Sequence, residues 1–162
     1  MEYLESYFYL LKVRYEERLE VSMDVEPKVR EQMIPKMTLQ QLVENCVKHG
    51  LQNIDKSIRI SVIGRMKKDG WTIQIQDNGP GITQERLLEV KKRLEEVRKN
   101  IQGKNMAAEL EIGGMGIVNT YARCLLLYSE NLIFELGNVS EGQGFAVTVG
   151  LKNVSCKEET QL

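Results

Sequence analysis

Histidine occurs once, at His49, and cysteine three times, at Cys46, Cys124 and Cys156, in a chain of 162 residues. The cysteines are odd in number, far apart and form no Cys-x-x-Cys. That argues against a disulfide framework or a zinc site and favours a reducing compartment, with a cytoplasmic location expected. No apolar run approaches the about 20 residues that a membrane-spanning helix needs. The start, Met1-Glu2-Tyr3-Leu4-Glu5, lacks the basic residues of a secretion signal, so no direct membrane contact is expected of this chain. Net charge is only -1, and without a basic stripe there is no electrostatic case for nucleic acid. A P-loop is excluded, since no Gly-x-x-x-x-Gly-Lys-[Ser/Thr] occurs. Internal repeats and low-complexity tracts are absent too. What is present, 42% hydrophobic and 28% charged residues, suits one globular domain with a real core.

Periodicity supplies the elements. Leu4, Phe8, Leu11 and Tyr15 form a helical stripe over residues 2–16. Leu19, Val21, Met23 and Val25 alternate with polar residues, a half-buried strand closed by Pro27, and residues 28–34 read as a short connection. Pro35 suits a first helical turn. From 36 to 49, Leu39, Leu42, Val43, Cys46 and Val47 mark one side of a helix that Gly50 should stop. Ser57–Met66 and Trp71–Asp77 alternate around Lys67-Lys68-Asp69-Gly70, a hairpin signal. Residues 84–100 predict a charged surface helix with a thin seam of Leu87, Val90, Leu94 and Val97, and 101–113 an irregular, mobile stretch. Gly113-Gly114-Met115-Gly116 opens a helix running to about Tyr128. Asn131–Leu136 and Phe145–Leu151 read as a closing strand pair before a disordered tail, 153–162.

Three stretches carry chemistry. Asp77-Asn78-Gly79-Pro80-Gly81-Ile82 puts an acid where a strand becomes a glycine-containing loop. On the helix of residues 36–49, a rotation of about 100° per residue places Gln41, Glu44, Asn45 and Lys48 opposite the apolar side, where an amide oxygen suits a hard cation such as Mg²⁺ and lysine suits phosphate as a point charge. Gly113 to Gly116 leads into a helix whose first N–H groups and dipole favour an anion. Taken singly, these are a tight turn, a solvated face and a loop.

Together and in this order they resemble the GHKL superfamily, the fold shared by DNA gyrase, MutL, the Hsp-type chaperones and histidine kinases. "QLVENCVKHG" is similar to the N box, "DNGPGI" to the G1 box and "GGMGIVNTYARCLLLY" to the G2 box of LytS/YesM-type sensor histidine kinases, with "GQGFAVTV" near the last glycine-containing strand. The resemblance spans residues 2–151. It implies an α/β two-layer sandwich, with a mixed, mainly antiparallel sheet, helices on one face and a flexible ATP lid over 83–113. Residues 1–17 would be the remnant of a helix from an absent dimerisation and phosphoacceptor hairpin, and 18–152 the catalytic domain.

The implied cofactors are ATP and Mg²⁺. Asp77 would accept a hydrogen bond from the adenine amino group, selecting the base. Gly79, Gly81 and Ile82 would lie against the purine, and Asn45 would hold Mg²⁺, with Lys48 and His49 nearby. Gly114 and Gly116 would give N–H groups to the phosphates, and Asn119 and Arg123 match the pattern after the glycines. Asn45, Glu44 and Gln41 are the candidate catalytic residues, although the chain departs from the superfamily where its ATPase members carry a water-activating acid four residues before the asparagine: that position is Gln41, and the nearest acid is Glu44. Phe145 replaces the usual threonine, leaving Thr148 as a substitute. The expected function is the ATP-binding part of a kinase that presents the γ-phosphate to a histidine on the upstream hairpin of the same receptor. A response regulator would follow it, and the full-length protein would be a homodimer in the cell membrane with this domain on the cytoplasmic side. The alternatives are a non-catalytic nucleotide-sensing or interaction module and an independent ATPase.

Overall fold

The structure is a computed structural model that describes residues 1–50, 57–103, 116–140 and 143–152. Helix α1 (Glu2–Tyr15) leads into β1 (Leu19–Val25), a short α2 (Pro27–Arg30) and α3 (Thr38–Gly50). The hairpin β2 (Ile58–Lys67) and β3 (Gly70–Asp77) follows, then α4 (Gln84–Gln102), α5 (Gly116–Tyr128), β4 (Leu132–Ser140) and β5 (Gln143–Lys152). They build a five-stranded sheet in the order β1-β2-β3-β5-β4. Only β1 and β2 run parallel, and α2 and α3 make the crossover that parallel neighbours require. The other pairs are antiparallel.

Alternation decides which face of the sheet is covered. Ile60 and Val62 on β2, Trp71, Ile73 and Ile75 on β3, and Val147 and Val149 on β5 point to one side and pack with Leu42, Val43, Cys46 and Val47 of α3, Leu4, Phe8 and Leu11 of α1, and Cys124 and Tyr128 of α5. Each such side chain taken from water contributes on the order of 1.5–3 kcal/mol. The opposite face keeps half-exposed polar residues such as Ser61, Gln74, Gln76 and Thr148. A second core lies under α4, where Val90, Leu94 and Val97 meet Val118, Tyr121 and Leu125 of α5. The two-layer, mixed and mainly antiparallel architecture expected from the sequence is the one observed.

Local differences have physical causes. The connection expected over 28–34 begins as helix α2, with Pro27 in its first turn and Val29 buried. Helix α3 starts at Thr38, two residues late, because Met37 takes a left-handed φ of 67°. Gly50 is the last residue of α3 rather than the first beyond it. There a Cβ would fall 1.7 Å from Ile58 Cδ1, so the glycine serves close packing on β2. Helix α4 runs two residues further than expected, and β4 and β5 extend to the paired residues Ser140 and Gln143. The tail, and most of the stretch expected to be mobile before Gly113, lie outside the described residues.

Candidate functional site

Residues from α3, β3, α4, α5 and β5 surround one cleft of about 390 Å³, within the usual size range for a small-molecule site. Asp77 ends β3 at its inner edge, only 8% exposed. Asp77 Oδ1 accepts from the Gly79 amide at 2.8 Å and from the Phe145 amide at 3.3 Å. Burial first, then the nearby Asp77 carboxylate, push the pKa of the Cys46 thiol, one α3 residue beyond Asn45, well up, so the thiol stays protonated. Two backbone donors orient the carboxylate.

The loop after Asp77 is fastened at several points. Asn78 continues the hairpin ladder, its N–H donating to the Arg59 carbonyl at 3.2 Å while its side-chain oxygen accepts from the Arg59 amide at 2.7 Å. Gly144 N–H donates to the Gly79 carbonyl at 2.8 Å. Gly81 has a φ of 73°, a backbone shape that glycine adopts without a steric cost. Pro80, Gly81 and Ile82 then form the wall facing α3 and α5.

Across the cleft, Asn45, Lys48 and His49 come from α3. Position spacing brings them there: the buried stripe of α3 faces the sheet, which leaves this side towards α5. A Cβ on Gly116, the first residue of α5, would lie 3.3 Å from Asn45 Oδ1 and 3.4 Å from its Nδ2. A side chain there would press on that amide, which would have to give by a few tenths of an ångström. Asn45 Nδ2 is buried with no hydrogen-bond partner among the described residues, which is costly unless a ligand or ion system completes the site. Among the described residues no cluster of three or more His, Cys, Asp or Glu could hold a metal. A cation here would take one protein oxygen, from Asn45, and the rest from phosphate and water, the habit of Mg²⁺. Lys48, His49 and Arg86 border the same space, so the residues present fit a magnesium-bound nucleotide.

Asn45, Lys48, His49, Asp77, Gly81, Ile82 and Gly116 are thus brought together. Gly79 lies behind the wall, where a Cβ would be 2.9 Å from Asp77 Oδ1, so it shapes the loop without lining the cleft. Gln41 is turned away: its side-chain oxygen accepts from Thr120 Oγ1 at 2.9 Å and from the Arg123 guanidinium. Arg123 also donates to the Lys36 carbonyl at 3.1 Å, so it ties α5 to the start of α3 rather than facing the cleft. Glu44 accepts from Gln40 at 3.0 Å and interacts with Tyr7 of α1, whose hydroxyl pKa is raised by burial and then by that acid. Thr148 sits on the opposite face of the sheet, where its hydroxyl accepts from Gln74 at 3.3 Å. Strand alternation explains this displacement, since Phe145, Val147 and Val149 take the inner positions. Gly114 lies outside the described residues. Arg86, Cys46 and Phe145 were not singled out as lining residues by the sequence. Arg86 is hidden there among the charges of its helix.

The family described as "Histidine kinase-, DNA gyrase B-, and HSP90-like ATPase" matches residues 31–154. The chain belongs to this family. Among family relatives, it is similar to the sensor protein LytS of Enterococcus faecalis, at 27% identity over 88% of this chain and 22% of that protein. It is also similar to the sensor histidine kinase YesM of Bacillus subtilis, at 33% identity over 49% of this chain and 14% of that one. The chain therefore spans about a fifth or less of the length of these relatives. Its fold is like that of the mycobacterial sensor histidine kinase MprB, with a TM-score of 0.56 and 15% identity over 93% of each chain. It is also like the catalytic domain of the histidine kinase ThkA, with a TM-score of 0.54 and 10% identity over 94% of each.

Proposed function

We propose that this chain is the ATP-binding catalytic domain of a sensor histidine kinase, working with Mg²⁺. The observation that carries the reading is the opening of Asn45, Asp77 and Gly116, from three separated stretches, into one cleft. Asp77 would hold the amino group of adenine, its orientation fixed by the Gly79 and Phe145 amides. A base that cannot pair with a buried carboxylate forfeits on the order of 1–3 kcal/mol. Asn45 would give its side-chain oxygen to the cation, and Lys48, His49 and the start of α5 would meet the phosphates. Bound there, Mg-ATP supplies the transferable γ-phosphoryl group and a cation that offsets its charge. The chain's own contribution is positioning and charge neutralisation.

The acceptor histidine belongs to a hairpin upstream, and a response regulator takes the phosphate next; the whole protein would be a dimer with this domain in the cytoplasm. Among the described residues no helix is long and apolar enough to cross a membrane. Transfer from labelled ATP to the hairpin, supplied separately, tests this: phosphorylated hairpin is expected, and tight ATP binding without transfer would remove the kinase reading. The tying of Gln41 to Thr120 and Arg123 favours, as a second reading, a nucleotide-sensing module without chemistry, and it disfavours an independent ATPase, which needs an acid to activate water. Steady phosphate release from the isolated chain would reverse that order.

A further inference from the structure

Along β4 the inward positions read Leu132, Phe134, Leu136 and then Asn138, opposite Leu151, Val149, Val147 and Phe145 of β5. A polar amide thus stands where the strand pattern calls for an apolar side chain, next to the phenyl ring that lines the cleft. An amide at such a position is costly unless both its ends are paired. Here both ends go to one residue: Asn138 Oδ1 accepts from the Ile82 amide at 2.8 Å, and Asn138 Nδ2 donates to the Ile82 carbonyl at 2.9 Å. The side chain reproduces the two-bond pairing of antiparallel strands, but with a loop residue as partner.

We propose that Asn138 is a positioning residue for nucleotide binding: its amide clasps both backbone groups of Ile82 and holds the Pro80–Ile82 wall against the cleft. The proposal rests on the nucleotide reading above. Ile82 is five residues beyond Asp77 and directly precedes Thr83, which caps α4 by accepting from the Arg86 amide at 3.3 Å. One side chain therefore fixes both the wall at the base end of the cleft and the point from which α4 departs. Because Asn138 acts at that end, its loss weakens every adenine nucleotide by the same factor, whatever the number of phosphates.

The test compares the parent chain with Asn138→Ala and Asn138→Ser, neither of which can span both groups of Ile82. Calorimetry with ATP and with ADP gives affinities, amide hydrogen exchange follows residues 79–86, and a melt without nucleotide gives Tm. About a tenfold rise in Kd is expected in both variants and equal for the two nucleotides, with faster exchange at Ile82 and little change in Tm. Should Asn138→Ala fail to fold, Asn138→Ser decides. Unchanged affinity in a folded variant overturns the proposal while leaving the nucleotide reading intact, as does a loss confined to ATP. A parent that binds neither nucleotide overturns both.

Discussion

The two walls of the cleft are held by different physics. The wall from Asp77 to Ile82 is fixed by hydrogen bonds to Arg59, Gly144, Phe145 and Asn138, each with a narrow range of distance and angle. Helix α4, which lines the cleft through Arg86 and Val90, is, among the described residues, held mainly by Val90, Leu94 and Val97 against α5. At its far end Arg98 and Gln102 reach Glu130 at 3.2 and 2.7 Å. Apolar packing is non-directional, so it tolerates sliding that a hydrogen-bonded wall does not. Under the function proposed above, the first kind of wall would suit recognition of a base and the second the admission of phosphates.

The largest test of that contrast is Leu94→Ala, which should cost about 2–5 kcal/mol. Hydrogen exchange should show the loss concentrated in α4, with the amides of Asn78 and Gly79 nearly as protected as before. Equal loss in both walls would end the distinction. Asp77→Asn comes next. It keeps an oxygen for the Gly79 and Phe145 amides but not the second carboxylate oxygen, so calorimetry should show affinity for ATP falling about a hundredfold, on the order of 2.7 kcal/mol, with the fold intact. At about 100 times Kd, ATP should raise the parent's stability by roughly 2.7 kcal/mol, and this variant should lose most of that shift.

Alkaline pH probes α5, the helix on which α4 packs. Burial of the Cys124 thiol raises its pKa to about 11, so the folded state keeps a proton that the unfolded state gives up near its ordinary value. Stability from this group is complete below the unfolded pKa and is lost as pH rises from about 9 towards 11, at up to about 1.4 kcal/mol per pH unit. Urea unfolding across that range should show a shallower decline in Cys124→Ala. The smallest effect is Thr83→Ala. It removes the cap of α4 for about 0.5–2 kcal/mol, and exchange should quicken in the first turn of α4 alone.

How much of this could be read in advance depended on the range of the interaction. The hairpin was legible because Asp69-Gly70 sits between two alternating runs, and α3 because its apolar residues recur at helical spacing. Asn45, Lys48, Asp77 and Gly116 were legible because each lies within a short motif. Thr148 was misplaced, because counting along the chain gives a threonine near the last glycines without saying which side of β5 it faces. Gln41 and Glu44 shared a helix face with Asn45, yet their partners, Arg123, Thr120 and Tyr7, are remote in sequence. Asn138 did leave a trace, a polar residue in an inward series. Only the arrival of Ile82 from another part of the chain gives that trace a meaning.

By itself the sequence determined the elements, the covered face of the sheet and the three motifs, since periodicity and turn chemistry act over a few residues. The tertiary structure alone decided that those motifs share one cleft, that Gln41 is tied down by Arg123, and that Asn138 clasps Ile82 across 56 residues. Pairings of that kind depend on which surfaces meet once the sheet is covered, and no local pattern encodes the meeting.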